Sequence, residues 1–348
     1  MSDSVYHFFT ITMDIKNLTQ YGLVQDMLET INVIQKFNPQ AIVDVCKQYL
    51  DTDWLILTGE GSSRIFPAKM MIHQAMLRWY HGQIITQWAR QLMEYDIQDY
   101  TISALSNSGK TKEVINLLQH LTQLGHQHII GVTAWHDTLL QQLSHVCHIL
   151  WSGPEHACAA SKTVIEQALV YDTILCHLCW QTPSYQDLAN LFEQTLTSQI
   201  DDNIIKLCTQ ASVLYIAGRN DGVAEEISLK TNEITRKKSY YLEWTFAVHG
   251  VEETMNADEL VILIDPYPSE EEKFDQVLRQ WVGMQVVAIW HKQTRFPTII
   301  TPSHDRYSWY LQIASWWNLL TQIGLACDIN IDQPSKARKV GNEYIANV

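Results

Sequence analysis

The feature that most constrains this chain is a set of short apolar runs that recurs, in the same order, at nearly constant spacing. DWLILTG (53–59), YTISALSNSG (100–109), HIIGVTA (128–134) and HVCHILW (145–151) each read as a strand with helical sequence after it. The stretch PAKMMIHQAMLRWYH follows the first run. TKEVINLLQHLTQLG follows the second, with Val114, Leu117, Leu118 and Leu121 at helical spacing. The order then repeats in SVLYIAG (212–218), ELVILID (259–265), QVVAIW (285–290) and TIITP (298–302). Gly59 and Gly218 are 159 positions apart, as are Leu105 and Ile264; Ile130 and Val287 are 157 apart, and Ile149 and Ile300 are 151 apart. Apolar strands alternating with helices argue a parallel sheet buried between helical layers. Four anchors in one order argue two similar α/β units. The 348 residues divide accordingly into an N-terminal arm and helix (1–34), a first domain (35–190) and a second (191–348).

The two halves differ where chemistry would occur. After its second strand the first half carries SNSGKTKE (106–113), whereas the stretch 159 positions later is the acidic DPYPSEEE (265–272). Backbone N–H groups at a helix start, with the hydroxyls of Ser106, Ser108 and Thr111, can converge on an anion. The acidic counterpart would repel one, so a single phosphate cradle is expected, in the first half. GEGSS (59–63) and GPEHACAASK (153–162) are two more small-residue loops at the carboxyl ends of strands in that half. Ligands of open parallel sheets bind at that end. Together the three loops point to a phosphorylated ligand. A nucleotide P-loop is not indicated, because GxxxxGK[ST] is absent.

Charge narrows the partners. The balance of 24 basic and 38 acidic residues gives −14, which disfavours nucleic acid and anionic membrane. No window approaches the ~20 apolar residues of a membrane span, and the start lacks the basic n-region of a secretory signal. The seven cysteines are scattered through apolar segments, as expected of reduced thiols in the cytoplasm. Cys176 and Cys179 form a single CxxC within YDTILCHLCW, which reads as buried helix, not a metal site.

The strings GEGSS (59–63), SNSGKTKE (106–113), GPEHACAASK (153–162), KTNE (230–233), VHG (248–250) and DQPSKARK (332–339) resemble, in order, the sugar isomerase (SIS) domain family. The likeness is greatest to the isomerase half of the glucosamine-6-phosphate synthases, and it runs from about residue 20 to the C-terminus. It implies two three-layer α/β/α domains, each with a five-stranded parallel sheet. It places the sugar phosphate on Ser62, Ser63, Ser106, Asn107, Ser108 and Thr111, with Cys158 and Ala160 lining the sugar. Glu233 is implied as the base that moves a proton between C1 and C2, with Lys230 as its partner charge. His249 would assist ring opening from a neighbouring subunit of a homodimer, and Lys339 could form an imine with the ketose carbonyl. This route needs no cofactor and no metal.

The sequence also departs from the family. Relatives commonly have Ser where Ala160 stands, and Phe246 and Val251 replace an acidic residue and a proline around the histidine. There is no glutaminase half, so ammonia release from glutamine would need a separate chain. The expected activity is aldose–ketose isomerisation of a phosphosugar, or release of an amine from an amino-sugar phosphate. Fructosamine-6-phosphate deglycases are included in the second class. A non-catalytic phosphosugar-binding regulator is the alternative. Of the 12 tryptophans, Trp244 lies near His249 and could wall the pocket or simply pack. Trp309, Trp316 and Trp317 fall in a helical stretch expected at a domain or dimer interface.

Overall fold

The structure is a computed structural model that describes residues 14–336 and 343–345. Two helices, α1 (Gly22–Lys36) and α2 (Pro39–Cys46), precede the first unit. That unit runs β1 (Trp54–Thr58), α3 (Ser62–Leu77), β2 (Gln83–Thr86), α4 (Ala89–Leu92), β3 (Thr101–Leu105), α5 (Lys112–Gln123), β4 (Ile129–Thr133), α6 (Leu139–Leu143), β5 (Val146–Ile149) and α7 (Lys162–Leu178). After α8 (Leu188–Leu196) and α9 (Asp202–Gln210) comes β6 (Val213–Gly218), α10 (Val223–Lys230), β7 (Lys238–Glu243), β8 (Leu260–Ile264), α11 (Glu271–Phe274), β9 (Gln285–Trp290), β10 (Thr298–Ile300) and α12 (Ser308–Ala326).

The strands form two five-stranded parallel sheets, β2-β1-β3-β4-β5 and β7-β6-β8-β9-β10. The duplication holds at the level of register. Leu55 pairs with Thr101, and Leu214 with Leu260. Ser103 pairs with Ile130 as Ile262 does with Val287, and Thr133 with Ile149 as Trp290 does with Ile300. The central strands β3, β4 and β8 are buried at every position, as helices on both faces require. The edge strands β2 and β7 carry exposed positions, and neither stands out as an apolar run.

Helix α3 begins at Ser62, five residues before the proline at which the sequence pattern starts it, so Pro67 lies inside the helix. Gly61, with φ +56, turns the chain sharply and lets the helix start directly after the strand. Helix α12 is buried almost throughout, and Trp316 and Trp317 are core residues. Its apolar surface joins that of α1, α7, α8 and β6 in one cluster spanning both halves. These tryptophans therefore seal the chain's own interior. Trp244 packs on Tyr267, with ring centroids 4.8 Å apart, and edge-on to Phe274. Among the described residues no helix is long and apolar enough to cross a membrane.

Candidate active site

The turn after β3 is built by its own side chains. Ser106 is buried, and its Oγ lies 2.7 Å from Thr111 Oγ1. The Ser108 hydroxyl accepts the Lys110 N–H at 3.2 Å. The Asn107 carbonyl accepts Ala134 N–H at 3.0 Å and Thr133 Oγ1 at 3.2 Å, which ties the turn to the end of β4. Gly109 has φ +64, and a Cβ there would sit 2.5 Å from the Thr138 side chain, so only glycine fits. Thr111 then N-caps α5 and lines the cavity described next, which puts a helix N-terminus beside it.

A cavity of about 540 Å³ opens against this turn, lined by Ser63, Asn107, Ser108, Thr111, Cys158 and Ala160 from the expected set. Ser62 and Ser106 do not line it. Lys110, Trp135, His136 and Glu343 do, and the last three carry no local signal in the sequence. Glu343 forms an isolated antiparallel bridge with Thr111, and Tyr344 N–H donates to the Lys110 carbonyl at 2.8 Å. Glu343 and Tyr344 thus lie against the turn.

Cys158 also lines a second cavity, of about 430 Å³, together with Asn232, Glu233, Arg236, Asp332 and Lys336. Glu233 lies on a π-helical turn (Thr231–Thr235) that continues α10, a distortion often found where a helix serves a site. Lys230 is fully buried beneath it, 2.8 Å from Glu233 and 3.6 Å from Glu226. Burial alone would lower this ammonium's pKa, but Glu233 and Glu226 more than offset that and raise it to about 12. Lys230 is therefore a permanent cation that orients the Glu233 carboxylate, not an amine nucleophile. Burial pushes the Glu226 carboxyl up, against the pull of Lys230.

The loop bearing Cys158 is fixed from two sides. Buried Asp26 of α1 accepts the N–H groups of His156 (2.7 Å) and Ala157 (2.9 Å) and pairs with Lys162 at 3.0 Å. Asp26, Glu29 and His156 bring ligand-type atoms together, but the Lys162 ammonium already supplies the cation there. From the other side, the Asp332 carbonyl accepts Cys158 N–H at 3.0 Å. The Asp332 carboxylate caps α1, accepting Gly22 N–H at 2.9 Å and Leu23 N–H at 2.8 Å.

Two of the expected catalytic residues are not brought in. His249 ends the 3-10 turn Trp244–Val248, is exposed, and lines neither cavity of its own chain. Lys339 lies outside the described residues. Phe246 is exposed on that turn, and Glu243 is exposed at the end of β7. In the second half, the turn equivalent to 106–111 is held by the chain itself. Arg219 donates to the Asp265 carbonyl at 2.6 Å, pairs with its carboxylate at 2.5 Å, and lies over the Tyr267 ring at 4.3 Å.

No protein-family model matches the chain, and no curated protein matches it by sequence. Solved structures do match. The C-terminal domain of glucosamine-fructose-6-phosphate aminotransferase from Francisella tularensis superposes with a TM-score of 0.75 at 13% identity, covering 90% of this chain and 98% of that one. Tagatose-6-phosphate ketose/aldose isomerase from Escherichia coli gives 0.73 at 17%, covering 92% and 98%. Glucosamine-6-phosphate deaminase from Thermotoga maritima gives 0.69 at 17%, covering 91% and 98%. With its paired five-stranded sheets, the chain has the double SIS-domain fold of the phosphosugar isomerases and deaminases.

Proposed function

We propose that this chain acts on a keto or amino sugar 6-phosphate, holding the phosphate on the turn at 106–111 and moving a proton between C1 and C2 with Glu233. One observation carries the reading. The cavity at the hydroxyl-rich turn and the cavity at Glu233 share Cys158, so one open-chain sugar can reach both. The −14 chain binds its phosphate through local amides and hydroxyls, since its overall field repels anions.

Moving a proton between adjacent carbons needs one carboxylate within reach of both. Glu233, side chain 39% exposed and anchored by the Lys230 ammonium, is the carboxylate proposed for this step. It removes the proton from one carbon to leave an enediolate, and returns it to the other carbon as the hydroxyl proton passes to the former carbonyl oxygen. His249 of a second copy of the chain would serve ring opening, and this is the reason for proposing a homodimer. Lys339 is proposed as the amine that forms an imine with the ketose carbonyl. The same proton transfer serves aldose–ketose isomerisation, deamination and fructosamine-6-phosphate deglycation. The seven cysteines are free, which suits a reducing, cytoplasmic setting.

The test is turnover of fructose 6-phosphate, glucosamine 6-phosphate and fructosamine 6-phosphates by wild type and Glu233→Gln. Wild type should convert at least one of them, with kcat about 10²–10⁴-fold lower in the variant and binding retained. Binding without turnover by wild type would instead support a phosphosugar-sensing regulator.

A further inference from the structure

A third cavity, of about 260 Å³, lies away from the sugar cavities and is lined by Gln74, Arg78, Gln181, Asp305, Arg306 and Trp309. Arg78 caps the C-terminal end of α3, whose 16 residues separate it by about 24 Å from Ser62 at the other end. Arg306 comes from the second half, two residues before α12. The two guanidiniums converge on one buried pair of groups. Arg78 lies 2.7 Å from the Asp172 carboxylate and 3.2 Å from Cys176 Sγ. Arg306 lies 3.2 Å from the same sulfur and 3.8 Å from the same carboxylate.

The charges here do not balance. Asp172 is buried and also accepts the Tyr185 hydroxyl at 2.8 Å, so a single carboxylate serves two cations and a phenol. Arg306 Nε is buried without a protein acceptor. Asp305 is exposed at the rim, where water weakens its charge without removing its pull on the site. One guanidinium charge therefore remains at the cavity wall without a buried counter-charge, and Arg306, its side chain 31% exposed, is open to an anion from solvent. Cys176 does not supply that charge, because burial raises its thiol pKa. A tetrahedral oxyanion suits such a wall, since it can accept from several donors at once; Arg78 Nη2 already donates to Asp172 and to the Gln74 amide oxygen, so Arg306 is the more open of the two. The amides of Gln74 and Gln181 are further potential donors.

We propose that this cavity is a second anion site, which takes a phosphate group, free or as a small monoester, between Arg78 and Arg306. Bound there, the anion joins α3 of the first half to the start of α12 in the second. The site is independent of the proposed catalysis.

Calorimetric titration with inorganic phosphate tests it, in the Thr111→Val chain, where the cradle is weakened. Phosphate binding should persist there, weaken at least tenfold when Arg306→Gln is added, and tighten severalfold with Asp305→Asn. Unchanged affinity in either added variant, or no phosphate or monoester binding in the Thr111→Val chain, overturns the proposal. Asp305 is an exposed rim residue, so its variant reports even where loss of Arg306 unfolds the protein. Glycerol phosphate in the same titration separates the sources. Binding of the ester alone assigns the site to monoesters, and binding of both assigns it to the phosphate group itself. Sugar turnover by the Arg306→Gln chain distinguishes this site from the catalytic one, because it should remain.

Discussion

Replacing Lys230 by Met isolates what holds the candidate base in place. Methionine fills similar volume but leaves Glu226, which is 1% exposed, without its cation. The buried carboxyl must then be protonated. Its folded pKa lies above its unfolded one, so it contributes full stability at low pH and loses it as pH rises. From an ordinary value of 4.5, the cost grows by about 1.4 kcal/mol per pH unit. That gives under about 1 kcal/mol at pH 5 and about 3 kcal/mol at pH 7, at the low end of what breaking a buried ion pair costs. Urea denaturation at pH 5, 7 and 8 measures the slope. Adding Glu226→Gln to the Lys230→Met chain should remove most of the pH-dependent loss, since no carboxyl then needs a proton. An equal loss at pH 5 and pH 8, or a double variant no more stable than the single one, would refute the reasoning.

Asp332→Ala removes two charged caps from α1 and should cost about 1–2 kcal/mol, read as a lowered urea midpoint, with Asp332→Asn losing less. Asp221 is buried, and desolvation raises its pKa from 3.8 to about 6. Its contribution is intact below pH 3.8 and lost as pH rises through 6. Asp221→Asn keeps the oxygen that accepts Val223 N–H at 3.0 Å. It should therefore be up to about 3 kcal/mol more stable than wild type at pH 8, with the gap closing near pH 4. Denaturation at the two pH values checks this.

The buried strands were legible because a parallel strand covered on both faces must be apolar throughout, as Ile56 to Leu57 and Val261 to Leu263 are. Strands β2 and β7 were not read from the residues. Each has a strand neighbour on one side only, and QIIT and KSYYLE mix polar and apolar positions. Within the site, the small-residue turns carried a local signal. Ser63, Asn107, Ser108 and Thr111 meet in one cavity because each follows a strand of one sheet. Trp135 and Glu343 had no such signal, since they arrive through the β4 connection and the C-terminal segment. The π-helical turn was hidden as well, because KTNE reads as ordinary helix. Asp332 shows the same limit, since its partners Gly22 and Leu23 lie some three hundred positions away.

The paired registers also show where the two halves have changed length. The offset between equivalent strands is 159 at β1/β6, 155 at β2/β7, 159 again at β3/β8, 157 at β4/β9 and 151 at β5/β10. Every gain or loss therefore falls in a connection, and none in a strand. The sheets act as a fixed frame into which segments of different length and chemistry are fitted like cassettes. SNSGKT and DPYPSE begin at the same offset and have the same length. The hydroxyl-rich SNSGKT turn in one half, and in the other the DPYPSE turn held by Arg219 of the β6 connection, are thus alternative fittings to one frame.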